Sequence, residues 1–159
     1  MKELTTKTES LYGAYVVLSQ AKYGKLSDEE KIKVWKIARA MKPMAAKFEE
    51  DSKDASEKLK PEDYPNFDED LQKANEYREK MRQKDLDATT LPMGPAEYKQ
   101  FMDRFSKYQK TVSDALKEYA EKEVTIKFEP ITEETFGKLM ASNEWQMNQV
   151  VAIGEIIVE

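Results

Sequence analysis

Between Pro95 and Glu121 residues of the same kind return every seven positions. Tyr98, Phe105, Val112 and Tyr119 form one series, and Phe101, Tyr108 and Ala115 form a second. In a helix these two series share one side, so they make a continuous apolar seam, which Met102 and Leu116 widen. Three such heptads describe a helix packed lengthwise on others. The aromatic content points to a thick bundle core rather than a two-stranded zipper. The seam has to find facing apolar surface, and Val34–Phe48 is the expected partner.

The rest of the chain before this helix also reads as helical. A first helix is expected over Glu3–Lys22, where Leu4, Leu11, Tyr15 and Leu18 recur at helical spacing, with Gly24 stopping it by tolerating positive φ. A second opens on Ser27 and Glu30, a capping box, with Asp28 and Glu29 suited to the positive end of the macrodipole. Its stripe is Val34, Ile37, Met41, Met44 and Phe48, extended by Ala55 and Leu59. Pro43 lies inside it and predicts a kink or break near 40–42, while Pro61 and Pro65 close the segment. A third helix is expected from Phe67 to about Leu86, capped by Asp68, with a thin stripe of Leu71, Ala74, Tyr77 and Met81. Residues 89–95 read as a loop.

After Glu121 the period changes. Val124, Ile126 and Phe128 alternate with polar residues, as in a half-buried strand ended by Pro130. Thr132 caps a short helix. Another begins at Ser142 or Asn143 and carries Trp145, Val150 and Val151 to about Ala152, where Gly154 is expected to break it. Ile156, Ile157 and Val158 read as a last strand able to pair with the first. The fold class is therefore mainly α: an elongated antiparallel helical bundle or hairpin with a small C-terminal α+β module, its strands near 124–129 and 155–158. The division is 1–122 for the bundle and 123–159 for the module packed on it, together one structural unit.

The chain has 159 residues, 40% apolar and 36% charged, which suits long helices with solvated faces and one domain that is elongated or oligomeric. The net charge of −5 is uneven: 49–70 holds ten acids against three lysines, net −7. Such a segment opposes a phosphate backbone; it is either a solvated helix end or an acidic surface for a basic partner. No apolar signal core opens the chain, and no apolar run approaches the roughly 20 residues of a membrane span. A cytoplasmic protein without membrane association is expected.

Histidine and cysteine are absent, which removes disulfides, thiol nucleophiles, histidine-dependent triads and His/Cys metal sites. The five glycines form no phosphate cradle and no nucleophile elbow. Glu49-Glu50-Asp51 lacks the turn glycine of a calcium loop. No catalytic residue, cofactor or metal is expected. The lysines interleaved with aromatics after Tyr98 resemble a stacking surface for nucleic acid, but the aromatics fall on the seam and the cations off it. Trp35 and Trp145 read first as core, with a contact surface as the alternative. The candidate partner surface is Trp35, Glu49, Glu50, Asp51, Asp54 and Trp145.

Two stretches carry a resemblance. Leu11-Tyr12, then Lys36-Ile37-Ala38-Arg39-Ala40-Met41 and Ala46-Lys47-Phe48-Glu49-Glu50, and much later Val124-Thr125-Ile126-Lys127, resemble in content and order a group of short phage and prophage proteins catalogued as a domain of unknown function. Pro43 departs from that pattern. The resemblance implies a phage origin and a helical hairpin with a small tail; it supplies no site.

These observations favour a non-enzymatic protein–protein interaction or assembly protein, phage- or prophage-encoded, whose partner is another protein, itself, or both. The alternatives are an acidic inhibitor or antidefence protein acting through 49–70, and a helical nucleic-acid-binding protein.

Overall fold

The computed structural model of the protein describes residues 1–84 and 90–159. These form six helices and one two-stranded antiparallel sheet, a mainly α fold with a small strand module. They divide into two compact units, Met1–Ser52 with Lys117–Glu159, and Lys53–Leu116. This differs from a boundary at 122, because the C-terminal elements share a core with the first residues of the chain.

In the first unit the chain begins as a strand, β1 (Lys2–Lys7), and not as the start of a helix over Glu3–Lys22. β1 pairs with β2 (Glu123–Phe128), setting Leu4 opposite Ile126 and Thr5 opposite Thr125. Period-two alternation explains the difference: Leu4 turns toward the core while Glu3, Thr5 and Lys7 stay exposed. On the outer face the Thr5 and Thr125 hydroxyls meet at 2.8 Å, and Lys127 pairs with Glu3 at 2.8 Å. The partner of β2 is therefore the N-terminal segment. The expected strand at 155–158 is instead the end of a helix, followed by a single parallel bridge between Ile131 and Val158.

Helix α1 (Thr8–Gln20) starts where the Thr8 backbone N–H and hydroxyl both donate to the Lys122 carbonyl, at 2.9 and 2.7 Å. It ends at Ala21, in extended conformation, whose N–H returns to Leu18 O. No described glycine has positive φ, so Gly24 does not stop it in the expected way. Helix α2 (Asp28–Lys58) opens on the expected capping box: Ser27 N–H donates to Glu30 Oε2 at 2.7 Å, and Glu30 N–H donates to Ser27 Oγ at 3.2 Å. α2 runs unbroken through Pro43. Pro43 is exposed, on the side of α2 away from the core.

Helix α5 (Glu133–Ser142) is capped as expected by Thr132, whose hydroxyl accepts from Thr135 N–H. Helix α6 (Met147–Ile157) starts later than 142–143 and contains Gly154. There the glycine serves packing: a Cβ at 154 would lie 3.1 Å from Phe136 Cε1. The core of this unit joins Leu11 and Leu18 of α1, Val34, Ile37 and Met41 of α2, Ile126 and Phe128 of β2, Leu139 of α5, and Ile153 and Ile157 of α6.

In the second unit, helices α3 (Phe67–Arg82) and α4 (Pro95–Glu121) pack antiparallel, since Phe67 meets Phe105 and Tyr108 while Tyr77 stacks on Tyr98 at 4.4 Å. α3 is preceded by Asn66 rather than capped by Asp68; the expected end at Leu86, and Thr89 of the expected loop, lie outside the described residues. The core is Phe67, Ala74, Tyr77, Met93 and Phe101. Tyr108 donates to the Ser56 carbonyl at 2.6 Å, and the Arg104 guanidinium sits 4.3 Å from the Tyr64 ring centroid. α4 has the expected bounds, but its seam is met by Phe67, Ala74 and Tyr77. Val34, Ile37 and Met41, the expected partners, are spent in the core of the first unit.

Candidate interaction surface

From Lys31 to Lys47 helix α2 carries six cations and no acid. Val34, Ile37, Met41 and Ala45 are its buried side. Helical spacing places Ile32, Trp35, Lys36, Arg39 and Pro43 on the opposite side, all exposed. Ile32 is 53% and Trp35 55% exposed. The Arg39 guanidinium lies 5.3 Å from the Trp35 ring centroid, close enough for a cation–π contact. Lys31, Lys33 and Lys47 are paired with Asp28, Glu29 and Asp51. Among the described residues Lys36, Arg39 and Lys42 have no acidic partner.

The expected partner residues do not converge. Trp35 is a surface residue and not part of the core. Trp145, by contrast, is half-buried against Phe136 at the edge of the first core. Glu49 accepts from the Tyr12 hydroxyl at 3.0 Å, which raises the tyrosine's pKa, and Asp51 is held by Lys47 at 3.1 Å. Glu50 and Asp54 are exposed, and Asp54 belongs to the other unit. Further along, Lys60 pairs with Glu57 and Asp68, Arg104 with Asp63, and Tyr64 donates to Asp70. Much of the acidic run is thus partnered, each of these residues by one in the same unit.

A different carboxylate is the most engaged one. Glu30 Oε1 accepts from Lys138 Nζ at 2.8 Å and from Thr135 Oγ1 at 3.2 Å, tying α5 to the start of α2. Lys138 and the Ser27 backbone N–H together hold the Glu30 carboxyl down to about 2. This is a structural clamp. Among the described residues no three acidic side chains converge as a metal site requires.

Two concavities mark the first unit. One, of about 360 Å³, is a groove between α1 and α6 with Gly13, Ala14, Ala152 and Ile153 in its wall and Glu9 and Glu155 at its edge. The other, of about 290 Å³, is lined by Met44, Phe48, Tyr119 and Val124 with Lys47, Asp51, Lys122 and Glu123 around them. Neither was foreseen, since each joins elements far apart in sequence. The basic face of α2 had a readable signal: six cations without an acid, directly before the acidic run.

No described helix is long and apolar enough to cross a membrane. No protein-family model, curated protein or solved structure matches the chain.

Proposed function

We propose that this is a non-enzymatic interaction or assembly protein that uses the outward face of α2 to bind an acidic protein surface. The observation that carries this reading is Trp35, exposed on a helix whose other side fills a core, with Arg39 over its ring. Tryptophan and arginine are the residue types most enriched where binding energy concentrates. Lys36 and Lys42 flank them without acidic partners among the described residues, so an acidic surface gains ion pairs there that no described bridge has to give up. Ile32 adds apolar area, which favours a protein over a phosphate backbone.

The acidic run is a weaker candidate, because Asp63, Asp68 and Asp70 are already engaged. The nucleic-acid reading has less support still, with Arg104 held by Asp63 and Tyr64. The resemblance to short phage proteins supports a phage or prophage origin and action in the host cytoplasm.

Photo-cross-linking tests the reading. A photoreactive phenylalanine analogue at Ile32 should give discrete protein adducts in the producing cell, lost on Arg39→Glu. The same analogue at Glu50 serves as the control. If both positions give the same adducts, with or without Arg39, the α2 face is not the binding surface.

A further inference from the structure

Resting on that reading, we infer that the acidic surface is a second copy of this chain, whose α1–α6 groove receives the Trp35 indole. Three properties of the groove match the face that would enter it. The first is size: at about 360 Å³ it falls in the range that holds a small aromatic ligand. The second is its wall, which includes Gly13 and Ala14 of α1 and Ala152 of α6. Gly13 is exposed with nothing within 4 Å of where a Cβ would stand, so a flat ring can approach the backbone of α1.

The third property is charge. Glu9 reaches only Lys7, at 4.0 Å, and the Glu155 carboxylate has no cation among the described residues, since Lys2 donates to the Glu155 backbone oxygen. On the α2 face it is Lys36, Arg39 and Lys42 that lack an acidic partner among the described residues. Seating Trp35 between Gly13 and Ala152 therefore brings Lys36, Arg39 or Lys42 toward Glu9 and Glu155, and these cations gain acidic partners. The two patches consist of different residues. One copy's face meets another's groove, either reciprocally in a two-fold dimer or head-to-tail in a ring or filament.

Sedimentation of the full chain with complementary variants tests this. Wild-type protein should self-associate across a dilution series. Trp35→Ala, which removes the indole, and Gly13→Leu, which fills the groove, should each weaken association by about tenfold or more. Mixed together they should form a heterodimer, since one supplies an intact groove and the other an intact Trp35. Ala152→Leu blocks the groove from α6 and repeats the test should Gly13→Leu fail to fold. A monomeric wild type, or variants that stay monomeric when mixed, overturns the inference. If the wild type is monomeric while Ile32 cross-links specifically to a different acidic protein, self-association is wrong and the wider reading survives. If wild type and Trp35→Ala associate equally and Ile32 gives no specific adduct, both fall.

Discussion

The Glu30 carboxylate of α2 and the Lys138 ammonium of α5 meet at 2.8 Å, and the same carboxylate closes the capping box by accepting from the Ser27 backbone N–H. One side chain thus caps the start of α2 and joins two elements separated by more than 100 positions.

This clamp sets a pH dependence. The Glu30 carboxyl is held at about 2 against an ordinary 4.5, first by Lys138 and then by the Ser27 N–H. A lowered carboxyl contributes its full stabilisation above 4.5 and loses it as the pH falls toward 2. Urea midpoints of wild type and Glu30→Gln should therefore differ at neutral pH and converge between pH 4.5 and 2. A constant gap across that window counts against the clamp. Ser27→Ala, which removes the other half of the box, should cost about 1 kcal/mol at neutral pH.

The two tryptophans should behave oppositely. Trp35→Ala removes no core contact, and monomer stability should stay within about 0.5 kcal/mol of wild type. Trp145→Ala uncovers Phe136 and should cost about 2 kcal/mol or more. In single-tryptophan variants, acrylamide should quench Trp35 far more readily than Trp145. Equal quenching would contradict the placement of both rings.

Two glycines make a similar contrast. Gly137 lies in α5 with nothing within 4 Å of a Cβ, so Gly137→Ala should stabilise by about 0.5–1 kcal/mol through helix propensity. At Gly154 a Cβ meets Phe136 Cε1 at 3.1 Å, and that ring is itself packed near Trp145. Overpacking of about 1–3 kcal/mol outweighs the propensity gain there, so Gly154→Ala should destabilise. Thermal melts of the two variants should shift in opposite directions.

Each unit has its own core, which large-to-small substitutions should reveal. Leu139→Ala in the first and Phe101→Ala in the second should each cost about 3 kcal/mol or more. Hydrogen exchange followed residue by residue should show the larger loss of protection within the unit that carries the substitution. Uniform loss over both would mean they open as one.

The helices were legible where a local signal sufficed. Ser27 and Glu30 marked the start of α2, Thr132 the start of α5, and the heptads of Tyr98 and Phe101 the length of α4. What was misread depended on remote partners. Leu4 fits a helical stripe with Leu11 as well as it fits a strand, and only Ile126 across the sheet decides. Gly154 reads as a breaker until Phe136 is seen against it. The α4 seam announced that it needed a partner but not which one, because α2 and α3 both offer apolar stripes. Trp35 was visible as a contact candidate, but its exposure depends on which side of α2 the core takes.

The pairing of Thr5 with Thr125, 120 positions later, has a consequence for synthesis. β1 leaves the ribosome long before β2, the strand it pairs with, exists. Leu11, Leu18, Val34, Ile37 and Met41 wait with it, since Leu139, Ile153 and Ile157 are translated later still. The middle of the chain has its full complement of aromatics well before then and can fold first. A nascent chain stalled before Glu123 should therefore offer chaperones Leu11, Leu18, Val34, Ile37 and Met41 without the later residues that complete their core.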